Sequence, residues 1–273
     1  MYKIVEKQIL SETVKLMKIK APLVANKAQA GQFIILRIDE HGERIPLTIA
    51  DYNKKNGTVT IIFMEVGKTT KQLGKMKVED SILNFAGPLG IPSEIKKYGT
   101  VVMIGGGVGI APLYPIVREL KKVGNYVISI LGARNEKLLM LEKEIEGYSD
   151  ELHICTDDGS KGQKGFVSNI LQGLIDEKRK IDMVMAIGPV IMMKVVADVT
   201  RPHKIKTLVS LNPIMVDGTG MCGGCRVSVG DQIKFACVDG PEFDGHLVDF
   251  KNLMLRNRRF MSQEQEACML EGV

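Results

Sequence analysis

At Gly99 the rhythm of this chain changes, and that change constrains the fold more than any single motif. Ahead of it, short runs rich in Val, Ile, Phe and Thr occupy 2–10, 14–19, 32–38, 45–51, 58–66 and 81–86. Turn signals such as Asp39-Glu40-His41-Gly42 and Asn53-Lys54-Lys55-Asn56-Gly57 separate them. Six strands at near-regular spacing predict a small closed antiparallel barrel, with one short helix over 68–76. Behind Gly99, strand-like runs at 100–104, 126–131, 152–156 and 183–187 alternate with helix-like stretches ending at 122, over 137–145, over 166–175 and over 189–199. A last strand is expected at 204–211. Strand alternating with helix requires a parallel sheet with crossover helices, the architecture of nucleotide-binding domains. The expected fold class is β + α/β: an antiparallel β-barrel over 1–97, a Rossmann-like parallel-sheet domain over 98–211 and a small C-terminal segment over 212–273.

Composition narrows what such a chain does. Thirty-seven basic against thirty-two acidic residues leave +5, spread along the chain with no basic block interleaved with aromatics, so no nucleic-acid partner is expected. The apolar runs around 101–113 and 183–193 are too short to span a bilayer, and Met1–Lys7 lacks the apolar core of a signal peptide. No membrane association is expected. Five cysteines, an odd number with three clustered, do not form a disulfide framework, which favours a cytoplasmic, reducing location.

The clustered cysteines are Cys222, Cys225 and Cys237, the first two in a glycine-rich turn. Plant-type [2Fe–2S] loops read C-x4-C-x2-C…C, and with four residues between, the position ahead of Cys222 falls on Asp217. Three thiolates and one carboxylate could therefore hold a two-iron cluster. As an alternative, three thiolates with Asp217 or His246 could hold zinc as a tetrahedron, though the 217/222/225 spacing suits the iron–sulfur loop, and Asp217 could simply start the turn at Gly218. Cys155, at the end of an apolar strand, and Cys268, in the tail, read as bystanders. The tail over 251–260 sets Leu253, Met254 and Leu255 beside Arg256, Arg258 and Arg259, as a docking helix or a closing surface segment.

A second glycine-rich stretch, Gly105-Gly106-Gly107-Val108-Gly109-Ile110-Ala111-Pro112, ends a strand and opens a helix. There backbone amides can approach a pyrophosphate and the helix N-terminus adds positive partial charge. Gly107-Val108-Gly109-Ile110-Ala111-Pro112 resembles the G-T-G-x-A-P nucleotide loop of the ferredoxin–NADP reductase superfamily, in which a flavin-binding barrel precedes a nucleotide domain. The superfamily's flavin segment is matched by Ile45-Pro46-Leu47-Thr48, with Arg44 one residue early and leucine replacing an aromatic. Its second flavin segment resembles Ile62-Phe63-Met64-Glu65-Val66-Gly67-Lys68-Thr69-Thr70, and Gly87-Pro88-Leu89-Gly90 resembles its G-P-x-G. On the nucleotide side, Gly106, Gly132-Ala133-Arg134, Asp157, Asp158 and Gly188-Pro189 stand at the expected strand ends, with Ile187 where relatives carry cysteine.

The order of barrel, nucleotide domain and cysteine loop is similar to that of dihydroorotate dehydrogenase electron-transfer subunits. The Asp217 variant resembles the small subunits of NADH-dependent reduced ferredoxin:NADP oxidoreductases. That resemblance implies FAD in the barrel, NAD(H) on the second domain, and a [2Fe–2S] cluster on Asp217, Cys222, Cys225 and Cys237. It implies Thr48 as the side chain near the reactive flavin nitrogen. Asp157 and Asp158 favour NADH over NADPH, while Arg134 and Lys161 lie close in sequence. It further implies a larger flavin and iron–sulfur partner subunit where electron bifurcation occurs, linked indirectly to ferredoxin and NADPH.

Overall fold

In the computed structural model, which describes residues 1–270, the chain up to Leu89 forms one sheet that nearly closes on itself. Residues 271–273, the end of the expected C-terminal segment, lie outside the described residues. The strands are β1 (Tyr2–Ile9), β2 (Val14–Lys20), β3 (Phe33–Arg37), β4 (Ile45–Asn53), β5 (Thr58–Met64), β6 (Ser81–Ile82) and β7 (Asn84–Leu89), with helices α1 (Pro22–Lys27) and α2 (Lys68–Lys75) between them. Their order, β6-β1-β2-β5-β4-β3-β7, is antiparallel throughout. Only Leu83 separates the two edge strands, so the sheet curls until its edges meet. This is the antiparallel barrel that the strand-rich first part of the sequence implies.

Strand periodicity assigns side chains to two cores. In β5, Val59, Ile61 and Phe63 join Ile4, Met17 and Phe85 inside the barrel. The intervening Ile62 and Met64 face outward with Val14 and Leu16, and pack on the next layer. Two-faced burial explains why these strands read as near-continuous apolar runs.

The second layer runs β8 (Thr100–Gly106), α3 (Ile110–Lys122), β9 (Tyr126–Ala133), α4 (Glu142–Glu146), β10 (Glu151–Thr156), β11 (Gln163–Lys164), α5 (Val167–Asp176), β12 (Met183–Ile187), α6 (Val190–Thr200) and β13 (Lys206–Ser210). Its strand order β11-β10-β9-β8-β12-β13 is parallel. Helices α3 and α4 cover one face and α5 and α6 the other. The 137–145 stretch is not the single expected helix. Residues 136–138 form one 3-10 turn, and Leu141 adopts φ 55° before α4 begins.

The remainder comprises the hairpin β14 (Arg226–Val229) and β15 (Gln232–Phe235), the strand β16 (Glu242–Asp244), and helices α7 (Phe250–Asn257) and α8 (Met261–Leu270). Antiparallel β16 caps the open edge at β13, so the segment after the cysteine loop returns to the nucleotide-domain sheet. Asp249 caps α7 by accepting from the Asn252 amide at 2.9 Å, and Phe250 and Leu253 bury its inner face. Among the described residues, no helix is long and apolar enough to cross a membrane.

Candidate functional site

Helix α3 is buried on both sides and fixes the relation between barrel and parallel sheet. Ile110, Ala111 and Leu113 share one core with Val14, Leu16, Ala50 and Ile62 of the barrel. At its far end, the Arg118 guanidinium donates to Asp51 at 2.8 Å and to Glu119 at 3.1 Å, and packs against the rings of Tyr52 and Tyr114. Those bonds hold Arg118 firmly charged despite burial. Asp51 lies three residues beyond Thr48 on β4, so this clamp and the site residues share both elements.

Between the two layers lies a cleft of about 1620 Å³. Its barrel wall is formed by Pro46, Leu47, Thr48, Ile62, Phe63, Met64, Val66 and Thr70. Its other wall is formed by Gly106, Gly107, Val108, Gly109, Pro112, Gly132, Ala133, Arg134, Asp157, Gly188 and Pro189. These are residues singled out in the sequence, gathered from six segments. Arg44, Ile45, Gly67, Thr69, Ala111 and Asp158 lie outside the lining. Ala111 is buried beneath the loop, and Thr69 is buried with its hydroxyl donating to Glu43 at 2.6 Å. Asp158 accepts from the amide and hydroxyl of Ser160, while Lys161 is paired with Glu142 at 2.8 Å.

At the start of α2 the Thr70 hydroxyl accepts from the amides of Val66 and Gly67, both at 3.0 Å. Its oxygen therefore closes the helix end and leaves backbone amides to meet any anion there. Cys155 also lines the cleft; burial, assisted by the Asp157 charge, pushes its thiol up to about 11.

Sequence reasoning did not single out the β1–β2 turn, Leu10–Thr13, which also lines the cleft. It arrives there because the Thr13 carbonyl accepts from the Glu65 amide at 2.8 Å, and Lys15 pairs with Glu65 at 3.3 Å. Asn135, Lys137, Phe166 and the α6 residues Ile191, Met192 and Val195 complete the nucleotide side. No local signal marks them.

The cleft ends on Ser210, Leu211 and Asn212, the root of the cysteine loop. That loop rests on the barrel: a Cβ on Gly218 would lie 2.8 Å from Leu89 and 2.9 Å from Ile35, and φ +76° there also requires glycine. Phe33 pairs with both Thr48 and Leu89, so the loop bearing Asp217 rests on β3 and β7, and β3 is the strand next to the one bearing Thr48.

The four candidate donors meet two by two. Cys222 Sγ donates to Asp217 Oδ1 at 3.1 Å, and Asp217 Oδ2 accepts from the Thr219 hydroxyl and the Met221 amide. These bonds, the one from Cys222 foremost, hold the Asp217 carboxyl well below the usual carboxylate range. Cys225 and Cys237 bring their sulfurs to 3.3 Å, both buried as free thiols. Burial and then the Cys225 bond push the Cys237 thiol up to about 12. Among the described residues no group of three or more His, Cys, Asp and Glu side chains gathers around a single ion position. His246 is engaged elsewhere, with its Nε2 2.9 Å from the Thr200 hydroxyl. Two pairs of donors, one buried and one at the surface, fit a binuclear cluster better than one tetrahedral ion.

Comparison with known proteins agrees with this layout. Residues 212–249 match the family model described as the iron–sulfur cluster binding domain of dihydroorotate dehydrogenase B. Residues 103–198 match the oxidoreductase NAD-binding domain. A dihydroorotate dehydrogenase B (NAD(+)) electron transfer subunit homolog from Thermotoga maritima is 49% identical, covering 96% of this chain and 92% of its own. An uncharacterized protein from the adh 3' region of Clostridium beijerinckii is 50% identical over 98% and 93% of the two chains. A solved structure of NADH-dependent reduced ferredoxin-NADP oxidoreductase, described for flavin-based electron bifurcation, superposes with a TM-score of 0.95 at 46% identity. It covers 100% of this chain and 98% of that one.

Proposed function

The chain belongs to the family of dihydroorotate dehydrogenase B electron transfer subunits and their homologues, and from that premise we propose that it is the NADH-facing subunit of an electron-bifurcating ferredoxin:NADP oxidoreductase. The observation that carries this reading is the continuity of the site. One cleft runs between barrel and nucleotide sheet and ends at the root of a loop bearing two donor pairs. Its volume of about 1620 Å³ exceeds the roughly 300–1,000 Å³ of a site for one small ligand, leaving room for two dinucleotides.

When bound, FAD exchanges hydride with NAD(H) and the [2Fe–2S] cluster relays electrons singly. The chain's own residues bind and orient. Backbone amides at the starts of α2 and α3 offer donors for the two pyrophosphates, at 68–70 and 107–112. Thr48 offers a hydroxyl on the barrel wall for the reactive edge of the flavin. Asp157 faces the cleft and favours the ribose hydroxyls of NADH, while Arg134 lines the same wall. Asp217 and Cys222 would hold the outer iron and Cys225 and Cys237 the inner one.

The larger flavin and iron–sulfur partner subunit docks over the exposed rim of the cluster loop and the tail around Met254–Phe260. Val216, Met221, Leu255 and Phe260 all expose large apolar side chains there. Full-strength assembly by a chain ending at residue 250 would remove this assignment.

A visible spectrum of the purified protein, with metal and sulfide analysis, tests the reading. One flavin, two irons and two sulfides per chain are expected; zinc without flavin refutes it. The match over 212–249 also favours a second reading, electron transfer for a dihydroorotate dehydrogenase, against which Asp217 stands in a cysteine's place. Co-purification with a dihydroorotate-oxidising subunit, in place of one reducing NADP+, would select it.

A further inference from the structure

Three arginines converge on the cysteine loop, and none of them forms a salt bridge with an acidic side chain among the described residues. Arg256, on α7, donates to the Gly224 carbonyl at 3.1 Å, within the turn between Cys222 and Cys225. Its Nε is buried without a hydrogen-bond partner. Arg259 lines a small cavity of about 120 Å³ together with Arg256 and Cys222. Arg226 directly follows Cys225, and its guanidinium lies 3.6 Å from where a Cβ on Gly223 would stand. Burial, and then the charges of Arg259 and Arg226, weigh against the charge on Arg256, while the Cys225 sulfur favours it.

Arg226 and Arg259 are exposed and Arg256 is partly buried, so water screens their mutual repulsion, and an anionic centre in the loop would gain from all three charges. A [2Fe–2S] centre on three thiolates and one carboxylate is doubly negative when both irons are ferric and triply negative after one electron enters. Nearby fixed cations therefore favour the reduced form. We infer that Arg226, Arg256 and Arg259 form a cationic collar that raises the reduction potential of the cluster. The collar draws electrons out of the cleft to the exposed edge of the loop, where Cys222 meets solvent. It rests on the reading that Asp217, Cys222, Cys225 and Cys237 hold that cluster.

The test is a redox titration of the cluster-loaded protein, followed by the electron paramagnetic resonance signal of the reduced centre. Arg226→Gln, Arg256→Gln and Arg259→Gln are each expected to shift the reduced-to-oxidised ratio at a fixed potential about tenfold toward oxidised, a fall of about 59 mV for a one-electron couple. Arg256→Lys keeps the charge and is expected to restore most of the shift. Where Arg256→Gln also weakens the loop by losing its bond to Gly224, the Arg259→Gln variant, which breaks no such bond, decides. Glutamine variants that titrate with the wild type at equal iron content overturn the inference. Variants that keep the wild-type potential but no longer bind the larger subunit overturn it too, and assign the arginines to docking. Absence of iron and sulfide from the wild-type protein would instead overturn the underlying reading, and the collar with it.

Discussion

Gly109 is the tightest point between the nucleotide loop and the neighbouring strand, and Gly109→Ala measures how finely the cleft is set. Its φ of −65° and ψ of −10° suit alanine, so the backbone itself is not strained by the change. The added Cβ, however, would lie 2.3 Å from the Ile187 carbonyl oxygen and 2.7 Å from the Gly188 Cα. A carbon–oxygen contact relaxes near about 3.3 Å, so loop and strand end must part by about 1 Å. Both obstacles are backbone, and no rotamer change removes them. Gly107–Gly109 and Gly188 form one wall of the cleft, so the displacement moves the nucleotide site against the barrel. A misplacement of about 1 Å costs on the order of a hundredfold in rate, or about 2.7 kcal/mol of transition-state energy. The assay is anaerobic stopped-flow reduction of the bound flavin by NADH under single-turnover conditions. Overpacking also destabilises, by about 1–3 kcal/mol, so a matched control is needed. Gly124→Ala provides it: φ +84° with open space around the Cβ, remote from the cleft, at a strain cost of about 1–2 kcal/mol. The control should lose stability and keep its rate. If Gly109→Ala reduces flavin within threefold of the wild type, the backbone contact does not set the cleft, and the reasoning fails.

Asp217→Ala should lower iron per chain and change the visible and paramagnetic spectra of what remains; an intact, unaltered cluster would make Asp217 a turn residue only. Arg118→Leu strands Asp51 and unlinks β4 from α3, so it should cost about 2 kcal/mol. Calorimetry should then show barrel and nucleotide sheet melting in separate steps, and a single unshifted transition argues against the clamp. Burial raises the Glu242 carboxyl to about 7 from 4.5, against the bond from Ser93, so folding favours its protonated form. Its contribution to stability is full below about pH 4.5 and lost as the pH rises through about 7. Glu242→Gln, which cannot ionise, should therefore be more stable than the wild type at pH 8, by up to about 3 kcal/mol, with no such gain at pH 5. Equal differences at the two pH values would contradict this.

The sequence disclosed what depends on local pattern. Alternating apolar residues in 58–64 belong to two cores, and the glycine loop at 105–109 breaks a strand into a helix, so barrel and parallel sheet were both readable. Leu138, Leu139, Leu141 and Ile145 imitate one helical face, yet the chain turns left-handed at Leu141, a tertiary choice no local preference announces. The three residues of β16 are too few to show a period, and they pair only because β13 leaves an edge open. The Leu10–Thr13 turn enters the cleft because the β1–β2 hairpin is held to Glu65, a contact across more than fifty residues. Helix α1 is short enough, at six residues, to vanish among turn signals.

The cysteine spacing was legible as chemistry before it was legible as geometry, and the hairpin explains the difference. Cys225 stands immediately before β14, and Cys237 is the second residue after β15. The two strands are joined by a two-residue turn, Gly230-Asp231, with Gly230 at φ +56°, a conformation that turns of this length demand. Arg226 pairs with Phe235, and the Ala236 amide donates to the Cys225 carbonyl, so the strand register itself brings the buried sulfurs together. The outer pair needs no strand: the turn from Asp217 to Cys222 closes through the carboxylate's own bonds to Thr219 and Met221. Eleven intervening residues in one case and four in the other are thus two solutions to one requirement, two donors about 3 Å apart. The hairpin also turns Arg226 outward beside Cys225, so the register that pairs the sulfurs places one of the charges beside them.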